Sequence, residues 1–72
     1  METIKIVHGS DLTDYVLYDS EEEKLTIFFL DTQTTWVYYG VTQEEYEELI
    51  GAKSVGNYFN HNIRNEFPCK RI

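Results

Sequence analysis

The sequence predicts an α+β domain: an antiparallel three-stranded meander followed by two helices packed on one sheet face. Three features carry this prediction. Residues 14–40 hold three runs of β-branched and aromatic residues joined by short polar links, and links that short suit antiparallel neighbours. Residues 42–64 switch to an apolar spacing near 3.6, the helical period. The chain has 72 residues and one cysteine, Cys69, so one small domain must draw its core from large side chains and not from disulfides.

The strands come first. "DYVLYD" (14–19) and "KLTIFFL" (24–30) flank the polar loop "DSEEE", and "DTQTT" makes a second turn before "TWVYYG" (35–40). Residues 1–9, with "TIKIV", read as an arm or a short edge strand. Strand alternation sets Leu25, Ile27 and Phe29 against Phe28 and Leu30, and Trp36 and Tyr38 against Val37 and Tyr39. Both faces are therefore apolar, and two helices cover only one of them.

The first helix opens at Thr42, with Glu45 at capping-box spacing and Val41 and Tyr46 placed as a hydrophobic staple. Tyr46, Leu49 and Ile50 form its apolar stripe, Glu44 and Glu48 face water, and Gly51 is expected to end it in a left-handed conformation. The second helix takes Ser54 as N-cap. Val55, Tyr58, Phe59 and Ile63 gather on one side, and Asn57, Asn60, His61 and Arg64 on the other. Helical structure is expected within 42–66, Pro68 stops it, and 67–72 form a basic tail.

Charge is polarised. Twelve acids against Lys5 and Lys24 leave residues 1–50 at -10, and four cations against Glu66 leave residues 51–72 at +3, which makes up the total of -7. Such a chain does not coat nucleic acid indiscriminately, because phosphate neutralisation drives that binding. It can still present one basic face. A lone cysteine and an N-terminus without a signal-peptide pattern point to the cytoplasm, and no apolar run is long enough to span a membrane.

The run Ser54-x-Gly56-x-Tyr58-Phe59-Asn60-x-x-Ile63-Arg64, preceded by Ser10-Asp11-Leu12, Tyr18-Asp19, Trp36-Val37-Tyr38 and Tyr46 with Leu49, resembles the KTSC domain. This small family is named for its place at the C-terminus of some lysyl-tRNA synthetases, and it also occurs as stand-alone proteins. The resemblance spans residues 10–72. One departure stands out, since the family's central Tyr-x-Tyr reads Trp36-Val37-Tyr38 here. The attachment to a tRNA enzyme implies RNA binding, by association and not by mechanism.

Two functions follow as expectations. The first is a non-catalytic module that binds RNA of tRNA-like structure through a basic C-terminal helix face, with Asn57, Asn60, His61, Arg64, Lys70 and Arg71 as contacts. Trp36 and Tyr38 are either a stacking platform on an open sheet face or core residues beneath the helices. The second is a protein-interaction module that docks a partner through the apolar sheet face or the acidic Glu22–Glu23 and Glu44–Glu48 surface, as a monomer or weak homodimer. His61 beside Arg64 resembles a general base, yet no second acid or nucleophile stands in register. His8, His61 and Cys69 lack metal-ligand spacing. Neither cofactor nor metal is expected.

Overall fold

The computed structural model describes residues 2–6 and 12–72. The strands are β1 (Glu2–Ile6), β2 (Tyr15–Asp19), β3 (Lys24–Phe29), β4 (Thr34–Tyr39) and β5 (Cys69–Arg71), with α1 (Gln43–Gly51) and α2 (Val55–Asn62) between β4 and β5. The sheet runs β1-β2-β3-β4-β5, with every neighbouring pair antiparallel. The α+β class and the central meander stand as expected, but the sheet has five strands and not three.

Both additions are strands with weak local signals. β1 is the edge strand that the opening arm offered as one of its two readings. Each of its residues from Thr3 to Ile6 is exposed, so burial leaves little trace in its composition. β5 reads Cys-Lys-Arg, which has no strand character of its own. The free edge of β4 recruits it through the register Trp36↔Arg71, Val37↔Lys70 and Tyr38↔Cys69. The expected basic tail is therefore part of the sheet. Residues 7–11, with His8, lie outside the described residues.

The two hairpins turn on side-chain chemistry. Asp19 Oδ1 accepts from the Glu21 and Glu22 amides at 3.0 and 3.3 Å, and Asp31 Oδ1 accepts from the Thr32 amide at 2.8 Å. Each loop then closes through a non-glycine residue at positive φ, Glu23 at 54° and Gln33 at 55°. The Glu23 carbonyl accepts from the Gly40 and Val41 amides, which fixes the first hairpin to the start of the helical segment.

Both helices start as the sequence predicts. Thr42 and Glu45 form the reciprocal capping box, and the staple residues Val41 and Tyr46 are buried. Ser54 Oγ accepts from the Asn57 amide at 3.2 Å. The ends differ from expectation. Gly51 is the last residue of α1 and the cap is Ala52, which is extended at φ -71°, so no left-handed glycine is used. α2 stops at Asn62, and the Ile63 and Arg64 amides both turn back to the Phe59 carbonyl. Arg64 thus projects from the turn after the helix and not from its face.

The helices cover the face formed by Val16, Tyr18, Leu25, Ile27, Phe29, Trp36 and Tyr38. Phe59, fully buried, sets its edge against Phe29 at 5.5 Å and Tyr38 at 5.2 Å between ring centroids. Phe59 anchors α2 to β3 and β4, and burying a ring this completely is worth about 1.5–3 kcal/mol. The opposite face, with Ile4, Tyr15, Leu17, Phe28, Val37 and Tyr39, has no layer over it among the described residues.

Candidate functional site

Because the helical layer ends at Asn62 and the chain then returns as β5, a strip of the covered face is left open beside β4. A groove of about 590 Å³ lies there, a volume in the range of small-ligand sites. Besides the apolar Leu12 and Phe29, its described lining comes from the β3–β4 turn with Asp31, Thr32 and Thr34, the strand pair β4–β5 with Trp36, Tyr38, Cys69 and Arg71, and the turn after α2 with Arg64 and Asn65. Alternation accounts for the strand residues. Trp36 pairs with Arg71 and Tyr38 with Cys69, and all four project to the same side.

The aromatic pair is held in different ways. The Trp36 indole Nε1–H donates to Thr34 Oγ1 at 3.1 Å, and that hydroxyl shares a 2.7 Å hydrogen bond with Thr32 Oγ1. The indole is thereby fixed in orientation while remaining only half-buried. Tyr38 is 4% exposed, yet its hydroxyl has no hydrogen-bond partner among the described residues, and no buried side-chain oxygen is left unsatisfied. Both facts hold together only if the oxygen opens into the groove. A phenol oxygen open to the groove can donate to or accept from whatever occupies it. Burial, and then the neighbouring Cys69, push its pKa above the ordinary value, while Arg64 pulls it the other way.

The cations are open as well. Arg64 Nη1 donates to Asn60 Oδ1 at 3.1 Å, which steadies the guanidinium and leaves most of its donors unused. Neither Arg64 nor Arg71 forms an ion pair among the described residues, where the pair seen is Lys24 with Glu22. Among the described residues, the groove therefore offers two guanidinium groups, a fixed indole, an open phenol hydroxyl and one carboxylate.

A profile of the KTSC domain matches residues 10–67. The chain belongs to the KTSC domain family. Its fold is shared with the crystal structure of a KTSC domain protein of Yersinia pestis, at a TM-score of 0.90 and 26% identity, over 100% of this chain and 99% of that one. No curated protein matches the chain.

Within this KTSC domain the residues singled out in the sequence fall into three places. Trp36, Tyr38, Arg64 and Arg71 meet in the groove, with Asn60 behind Arg64. Asn57 and His61 border a separate hollow of about 390 Å³ with Lys53 and Tyr58. His61 Nδ1 lies 2.8 Å from the Asn57 carbonyl, which can only accept, so that nitrogen donates within its own helix. Lys70 pairs with Val37 and projects to the open sheet face. The expected continuous basic helix face is thus divided, because Arg64 lies past the helix end and a strand sends Lys70 and Arg71 to opposite sides. Trp36 and Tyr38 are not on the open face either. They sit at the margin of the covered one, Tyr38 as core and Trp36 as groove wall.

Asp31, Thr32, Thr34 and Asn65 were not singled out as site residues, and Cys69 was set aside. Recognising "CKR" as a strand beside "WVY" would have placed Cys69 and Arg71 with Trp36 and Tyr38. No group of three or more His, Cys, Asp or Glu is placed to hold a metal among the described residues. Among the described residues, no helix is long and apolar enough to cross a membrane.

Proposed function

We propose that this KTSC domain is a non-catalytic RNA-binding module that takes an unpaired nucleotide of a tRNA-like RNA into the β4–β5 groove. The observation that carries this reading is the grouping of Arg64, Arg71, Trp36 and the unpartnered Tyr38 hydroxyl around one opening. Proteins that read unpaired RNA stack bases on aromatic rings and hold phosphate oxygens with arginine. Trp36 serves the first task, with Arg64, Arg71 and the Tyr38 hydroxyl serving the second. The net charge of -7 opposes RNA at long range, yet among the described residues Asp31 is the one acid that lines the groove.

Anisotropy titration of a labelled single-stranded RNA tests this reading. Two guanidinium–phosphate contacts give a slope of about -1.4 in log affinity against log salt. Arg64→Glu and Arg71→Glu should each weaken binding at least tenfold with little change in stability. Binding that ignores both substitutions, or no binding at low salt, contradicts the reading.

A second reading has its own observation. On or beside the open sheet face, Ile4, Ile6, Tyr15 and Ile72 are 67, 54, 37 and 68% exposed, and Tyr15 stacks on Phe28 at 6.2 Å. Exposed apolar surface of this kind marks protein docking. Val37, the sheet-face residue suggested by sequence, is 8% exposed, so Val37→Lys also perturbs packing and Phe28→Lys is the cleaner probe. Docking there would tolerate salt and survive Arg64→Glu. The acidic alternative has a physical counterpart in the exposed Glu21–Glu23 loop and the Glu44, Glu47 and Glu48 side of α1; docking there would weaken with salt and also survive Arg64→Glu.

A further inference from the structure

Asp31 is out of place in a groove built for phosphate. A carboxylate lining the same groove as two guanidinium groups weakens its positive potential, and neither arginine pairs with it among the described residues. Its position is well defined, because Oδ1 accepts from the Thr32 amide at 2.8 Å and the adjoining wall is tied together by Thr32, Thr34 and the Trp36 indole. An ionised carboxylate accepts up to four hydrogen bonds, so this contact leaves most of its capacity free. The groove accordingly has an acceptor end at Asp31, a fixed ring at Trp36, and a donor end where Arg64 and the unpartnered Tyr38 hydroxyl lie.

That polarity suits guanine better than the other bases. The Watson–Crick edge of guanine carries adjacent N1–H and N2–H donors, which suit a carboxylate. Adenine and cytosine put a ring acceptor beside their single amino group, and uracil flanks its one N–H with two carbonyls, so each sets a lone pair against Asp31. We infer that the groove is specific for an unpaired guanosine, with Asp31 reading the base edge, Trp36 stacking on the ring, and Arg64 with the Tyr38 hydroxyl holding the phosphate. This rests on the RNA-binding reading and gives it a base. A second observation that bears on a ligand is the Tyr38 hydroxyl, which opens into the groove and has no hydrogen-bond partner among the described residues.

The test uses the full chain and four tetraribonucleotides, UUGU, UUAU, UUCU and UUUU, titrated at low salt by competition against a labelled RNA. UUGU should bind roughly tenfold or more tightly than the others, and replacing its guanine by hypoxanthine, which lacks the N2 amino group, should lose several-fold of that. Asp31→Asn retains a side-chain acceptor for the Thr32 amide. It should bring the four tetramers to within about twofold of one another, with UUUU binding tighter than to the parent, since a negative charge is removed. Salt-sensitive binding without a guanine preference, or a preference that survives Asp31→Asn, overturns the guanosine assignment and leaves RNA binding standing. Absence of salt-sensitive binding to any tetramer overturns both.

Discussion

Tyr18 and Tyr38 flank Leu25 in one row across the sheet, Tyr18 on β2 and Tyr38 on β4. They are 3 and 4% exposed, and burial is the first cause that pushes each phenol above its ordinary pKa. Their hydroxyls differ. Tyr18 donates to the Val41 carbonyl at 2.6 Å, and its ring stacks on Tyr46 at 4.4 Å, so it joins the sheet to the start of α1. Tyr38 sets its ring edge against Phe59 and turns an unused hydroxyl toward the groove. Burial and residue type do not separate a structural tyrosine from one available to a ligand. Accounting for each hydrogen bond does.

The contrast can be broken most forcefully at Tyr18. Tyr18→Phe leaves the Val41 carbonyl without its partner in the core and should lower unfolding free energy by about 1–3 kcal/mol, measured by urea denaturation. RNA affinity at temperatures where the variant is folded should not change. A smaller loss belongs to the same structural end of the molecule. Thr42→Ala removes the capping box and should cost about 1 kcal/mol, again with no effect on RNA.

Alkaline pH sharpens the comparison. Both phenols are neutral below the ordinary tyrosine value of 10.0. As pH rises past that value the unfolded chain releases these protons before the folded one does. The stability held by both phenols is therefore complete below pH 10 and lost as pH climbs through their raised folded values. Absorbance of phenolate at alkaline pH should show Tyr18 and Tyr38 titrating late, together with Tyr58, whose pKa is raised first by its hydrogen bond to Glu48. Arg64→Glu removes the pull that opposes the rise at Tyr38 and should delay that residue further while leaving Tyr18 unmoved.

The smallest stability effect is expected at Tyr38 itself. Tyr38→Phe removes a hydroxyl without a partner, so stability should stay within about 0.5 kcal/mol of the parent, while RNA affinity falls several-fold. A loss of stability equal to that of Tyr18→Phe would place Tyr38 with the structural residues.

Much of the fold was legible where local signals and tertiary packing agree. The capping box at Thr42, the Ser54 cap, the Phe59 anchor and the alternation of β3 and β4 all follow from patterns that the structure repeats. β5 was hidden because its three residues carry no strand propensity and its pairing is supplied by β4. That omission also obscured the site. Treated as a tail, Lys70 and Arg71 appear equivalent; treated as a strand, they face opposite ways, and only Arg71 meets Trp36. Arg64 was placed on a helix that ends before it. The unpartnered hydroxyl of Tyr38 has no sequence signal, since it is a property of what fails to come near.

The central claim is that RNA enters the β4–β5 groove. A two-dimensional amide NMR titration of the labelled domain with tRNA at low salt, repeated at high salt, tests it most directly. Shifts or broadening confined to residues 31–38 and 64–71, vanishing as salt rises, are expected, with α1 and the Tyr15–Phe28 side of the sheet unaffected. Perturbation centred on Leu17, Thr26 and Phe28, or a spectrum unmoved at high RNA concentration, would contradict it.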